Sequence, residues 1–101
     1  MLEHTLSIGM NDKDTLKQEL SEEQFIDCIV KVVGDCTIQN GLIGVFTNSR
    51  GEQTVEKSLQ VKIFGRSKKD VVNYVKKLCI DLNQESIVHE CKRSSATFIS
   101  A

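Results

Sequence analysis

From Thr5 to Met10 the chain alternates, with Leu6, Ile8 and Met10 separated by Thr5, Ser7 and Gly9. This period of two predicts a half-buried strand with the three apolar side chains inward. The next stretch, Asn11 to Leu20, is polar and fits neither a strand nor a helix period, so it reads as a long loop. Ser21-Glu22-Glu23-Gln24 then has the form of a capping box, with Leu20 and Phe25 placed to staple the helix start. Phe25, Ile29, Val32 and Val33 recur at helical spacing, and Gly34 suits the helix end.

Cys36 to Asn48 carries Ile38, Leu42, Ile43, Val45 and Phe46 and predicts a second strand, with a bulge or kink near Asn40-Gly41. Asn48-Ser49-Arg50-Gly51 is a turn sequence. Beyond it Val55, Leu59, Val61 and Ile63 are set opposite Glu56, Ser58, Gln60 and Lys62, so strands two and three should form a hairpin. Ser67 is a natural N-cap for a second helix lined by Val71, Val75, Leu78 and Leu82, with Lys68, Lys69, Lys76 and Lys77 in solvent. Ser86 to Cys91 predicts a fourth strand, with Ile87, His89 and Cys91 on one face. Residues 92–101 are expected to fray or add an edge strand.

The resulting order, β-α-β-β-α-β, matches the ferredoxin-like α+β superfold: an antiparallel sheet with two helices on one face. At 101 residues the chain is expected to form one domain, since two halves would each lack an adequate core. A net charge of -1 offers no excess of cations for general nucleic-acid binding. No apolar run approaches the roughly 20 residues that cross a bilayer, and no basic-then-apolar leader is visible, so no membrane partner is expected. Cys28, Cys36, Cys79 and Cys91 are 8, 43 and 12 positions apart, without a C-x-x-C pair. Reduced, buried thiols in a cytoplasmic protein are the expectation, with no metal site and no cofactor.

The densest polar cluster is the first loop, where Lys13 and Lys17 could pair with an anion and Asn11, Asp12, Thr15 and Gln18 could supply directional hydrogen bonds. The segment Ile8-Gly9-Met10-Asn11-Asp12-Lys13-Asp14-Thr15-Leu16-Lys17-Gln18, together with Asn83-Gln84-Glu85-Ser86-Ile87, resembles short uncharacterised proteins of Firmicutes and their phages. That group brings no activity with it. The resemblance implies that the first loop and the Asn83, Gln84, Glu85 turn form a site, and its phage association implies an anti-defence role.

The expected function is therefore noncatalytic capture of a small anionic metabolite or nucleotide signal by an oligomer of this chain. A protein-binding inhibitor or adaptor of a host immune effector, using the open sheet face, is the alternative. No enzyme is expected: His4, His89 and Cys91 could come together if strands one and four are neighbours, but no orienting carboxylate or third metal ligand is specified.

Overall fold

The computed structural model describes residues 1–101, in the order β1 (Leu2–Gly9), α1 (Glu22–Val33), β2 (Thr37–Thr47), β3 (Gln53–Phe64), α2 (Lys68–Asp81) and β4 (Val88–Arg93). All strand pairs are antiparallel in the order β2-β3-β1-β4. This is the ferredoxin-like arrangement that the hydrophobic pattern predicts. Leu6 and Ile8 of β1, Leu59, Val61 and Ile63 of β3, Phe25, Ile29 and Val33 of α1, and Val71 and Leu78 of α2 fill one core between sheet and helices. Met10 and Leu82 complete it.

Local signals set the helix ends. The Ser21 hydroxyl accepts from the Gln24 amide at 3.1 Å, and the Gln24 side chain accepts from the Ser21 amide at 2.9 Å. Replacing Ser21 by alanine is expected to cost about 1 kcal/mol. An unchanged urea midpoint would contradict this. Gly34 ends α1 with a φ of 78°, open to glycine at little cost, and donates to the Val30 carbonyl. Ser67 caps α2 through the Asp70 amide at 3.1 Å.

Several boundaries differ from the pattern. β1 begins at Leu2 and not at Thr5, because its first residues are held by β3 and β4 on either side, which local alternation cannot reveal. β4 begins at Val88 and runs to Arg93, following its register with β1, and residues 94–101 have no helix or strand. Val55 shares a face with Leu59, Val61 and Ile63 yet is 69% exposed. The reason is length: β2 and β3 have 11 and 12 residues against 8 and 6 for β1 and β4, so the hairpin outruns the helices. Ser58, expected on the open face, is buried there, in register with Gly9 and Leu42.

A bulge between Gln39 and Leu42, with Gly41 at a φ of 75°, reverses the facing of β2. Ile38 faces the helices, whereas Leu42, Gly44 and Phe46 lie on the opposite face, level with Ser58, Glu56 and Thr54 of β3. That reversal places Phe46 and Glu56 together.

Candidate active site

The cleft at the C-terminal end of β1 has a volume of about 110 Å³ and is walled by three segments. The first loop contributes Asn11, Asp12, Lys13 and Leu16, the hairpin contributes Phe46, Asn48, Thr54 and Glu56, and the turn before β4 contributes Gln84 and Glu85. Gly9 forms the floor. A β-carbon at Gly9 would collide with the Glu56 carboxylate, so glycine is what lets that side chain cross the end of β1.

The first loop and the turn are tied into one unit. Asp12 Oδ1 accepts from the amides of Asp14 at 2.8 Å and Thr15 at 3.2 Å. Asn83 Nδ2 donates to Asp12 Oδ2 at 2.8 Å and to Asp14 Oδ2 at 2.9 Å, while its carbonyl accepts from the Lys13 amide at 3.0 Å. Gln84 is buried and donates to the Asn11 carbonyl at 2.9 Å. The turn adopts a positive φ at Asn83, 49°, a conformation that asparagine tolerates better than most residues.

Glu56 is fixed from two sides: Oε2 accepts from the Thr54 hydroxyl at 2.7 Å and Oε1 from the Asn11 amide at 3.2 Å. Glu85 accepts from the Ser49 amide at 3.1 Å and 3.2 Å, and the Ser49 side chain, then this amide, hold its carboxyl below the usual carboxylate range. The hydrogen bond from Asn83, reinforced by the Asp14 amide, lowers Asp12 in the same way. Both carboxyl groups are therefore ionised at neutral pH.

The structure brings Asn11, Asp12, Lys13, Gln84 and Glu85 of the sequence-derived set to the cleft and leaves the others outside its wall. Thr15 bonds Glu19 at 2.8 Å, Gln18 bonds the Leu20 carbonyl at 3.0 Å, Lys17 is exposed, and Asn83 braces the loop from behind. Phe46, Thr54 and Glu56 lie in the cleft but were not legible as site residues, because only the bulge-shifted register puts them on one face over Gly9.

The charge of the cleft also differs from the expectation. Asp12, Glu56 and Glu85 stand against the single ammonium of Lys13, so the wall suits a cation better than an anion. Elsewhere, no group of three His, Cys, Asp or Glu could hold a metal ion. The four cysteines are unpaired, and burial raises the thiols of Cys28, Cys36 and Cys79. No helix is long and apolar enough to cross a membrane.

No family model and no curated protein matches the sequence. Among solved structures, the chain is similar to a phage SAM lyase in complex with S-methyl-5'-thioadenosine, with a TM-score of 0.70 and 24% identity over 90% of this chain and 79% of that one. It is similar also to a phage SAM lyase in the apo state, with a TM-score of 0.68, again at 24% identity and covering 90% and 78% of the two chains. Both of these neighbours are phage proteins, and the likeness is one of fold. The expectation of noncatalytic capture, its alternative of a protein-binding inhibitor, and the exclusion of an enzyme are corrected by this likeness, since the matching fold is that of an enzyme acting on a small molecule. No cysteine or histidine lines the cleft, so none of the residue patterns that usually mark an active site points to it.

Proposed function

We propose that this chain is a lyase acting on S-adenosylmethionine, releasing S-methyl-5'-thioadenosine and a four-carbon amino-acid fragment. One observation carries the proposal: a chain folded like a phage SAM lyase has, at the end of β1, a cleft bearing three carboxylates against one ammonium. Such a wall suits a substrate with a sulfonium, an ammonium and only one carboxylate.

The chemistry assigns the residues. The Cγ–S bond breaks and its electron pair goes to sulfur, so the positive charge fades as the transition state is reached. A carboxylate beside the sulfur would therefore stabilise the ground state more than the transition state and slow the reaction. Leu16 of the first loop is the apolar neighbour assigned to the sulfonium in this proposal, and the Glu56 carboxylate is assigned to the ammonium, which keeps its charge throughout. A lyase takes up no water. The fragment either closes on its own carboxylate to a lactone, with no proton transferred, or loses a β-proton to a base and becomes a vinyl amino acid. Asp12 and Glu85 are ionised but engaged by Asn83 and Ser49, so closure, which needs no protein base, fits the cleft better.

Asn11, Lys13 and Gln84 complete the proposed contact surface, and Asn83 is its brace. We place the chain in the cytoplasm of a bacterial host, a Firmicute by the sequence resemblance, as one domain whose consumption of the methyl donor would serve phage anti-defence. Self-association is part of this proposal: Ile43, Val45 and Val55 are 77%, 58% and 69% exposed on one face of the hairpin, an apolar patch that a second copy would cover.

Reaction in ¹⁸O-water tests the bond-breaking step. Mass spectrometry is expected to find S-methyl-5'-thioadenosine with an amino-acid product that carries no ¹⁸O at its release. A labelled hydroxyl on the fragment would mean hydrolysis and would overturn the lyase assignment.

A further inference from the structure

At the opposite end of β1, away from the cleft, His4 is fully buried on the helix face, and its two ring nitrogens are both engaged. Nε2 lies 2.7 Å from the carbonyl of Arg66 in the β3–α2 connection, and Nδ1 lies 2.9 Å from His89 Nε2 on edge strand β4. The two rings stack with centroids 5.1 Å apart. A carbonyl only accepts, so His4 Nε2 carries the proton of that bond. In the neutral ring His4 Nδ1 is then an acceptor, which makes His89 Nε2 the donor. The bond between the rings survives one added proton, taken at His89 Nδ1. A second proton would put an N–H on both facing nitrogens, and at 2.9 Å the contact could not hold.

We infer that His4 and His89 form a proton-sensitive latch that accepts one proton and, on accepting a second, releases edge strand β4 from β1. The groups whose charge bears on His89 favour release on acidification. Desolvation first, then His4, then Lys68 at the start of α2, lower the His89 pKa from its ordinary value. Around His4, β3 offers the apolar Ile63 as register partner and β4 offers Cys91. The Arg66 guanidinium is held aside by the Tyr74 hydroxyl at 2.7 Å, and the Lys92–Glu3 ion pair involves side chains of the other sheet face. None of the charged groups that bear on His89 is a carboxylate.

The sign follows from linkage. With the folded His89 pKa depressed, the open state takes up the first proton at a higher pH than the closed state does, so the latch's stabilisation is complete above the ordinary histidine pKa of about 6.5 and shrinks as pH falls, and the second proton, which the closed contact cannot hold, completes the release. Within that window the opening constant should rise up to about tenfold per pH unit for each extra proton bound. β4 follows directly on the Asn83 to Ser86 turn, so its release would also loosen one wall of the cleft.

These are the chain's two histidines, so ring ¹⁵N NMR of the intact protein reads the latch without assignment ambiguity. At pH 7.5 both rings are expected as Nε2–H tautomers, and amide exchange in β4, divided by the intrinsic rate at each pH, is expected to accelerate between pH 6.5 and 5. In His89→Gln the side-chain amide can still donate to His4 Nδ1 but cannot titrate, and the β4 exchange rates should lose most of that acceleration. An Nδ1–H tautomer at either ring, or equal acceleration in wild type and His89→Gln, would overturn the latch.

Discussion

Aspartate in place of Val61 is expected to abolish folding. Val61 is fully buried, in register with Leu6 of β1 on one side and Ile38 of β2 on the other, under the two helices. No cation lines that position among the core residues, so the new carboxylate would be buried without a partner or would drag a proton in with it. Changes of this kind cost about 4 kcal/mol or more, a large part of the 5–15 kcal/mol that typically holds a domain together. Val55→Asp is the matched control. It lies on the same strand face but is 69% exposed, and should leave the circular dichroism spectrum native-like, any loss being confined to the proposed pairing of copies. A native-like spectrum for Val61→Asp would show that the inward face of β3 has been assigned wrongly.

The largest expected effect on activity comes from Glu56→Gln. Glutamine can keep the acceptor for the Asn11 amide and still meet the Thr54 hydroxyl, so the fold should persist. What disappears is the negative charge proposed to receive the substrate ammonium. A hydrogen bond to a charged group contributes about 1.5–3 kcal/mol, and each 1.4 kcal/mol is a factor of ten, so kcat/KM should fall roughly ten- to hundredfold. Because the ammonium keeps its charge through the reaction, the loss should appear mainly in KM. A loss confined to kcat would make Glu56 the base that removes the β-proton instead. Steady-state kinetics on S-adenosylmethionine distinguish the two.

The fold was legible because its signals are local. The alternation of Leu6 and Ile8, the Ser21 capping box and the Asn48 turn each follow from a few neighbouring residues and point to the same layered arrangement. The site was only half legible. Asn11, Asp12 and Lys13 sit in a polar loop that any reading would single out, whereas Phe46 and Glu56 depend on the Gln39–Leu42 bulge, which reverses the facing of β2 in a way that counting by twos cannot follow. The charge of the cleft wall differs from the expectation for a related reason. Lys13 and Lys17 dominate the loop in sequence, but Lys17 lies outside the cleft wall and Glu56 joins Asp12 and Glu85 there from 43 positions beyond Lys13. The His4–His89 contact was foreseeable as proximity, given β1 beside β4, but its hydrogen-bond roles depend on the Arg66 carbonyl, which no sequence pattern supplies.

The most direct test is to incubate the purified chain with S-adenosylmethionine and follow both compounds by liquid chromatography and mass spectrometry. The account predicts S-methyl-5'-thioadenosine appearing one for one with substrate loss, at a rate proportional to protein concentration and reduced by Glu56→Gln. Unchanged S-adenosylmethionine in the presence of folded wild-type protein would contradict it.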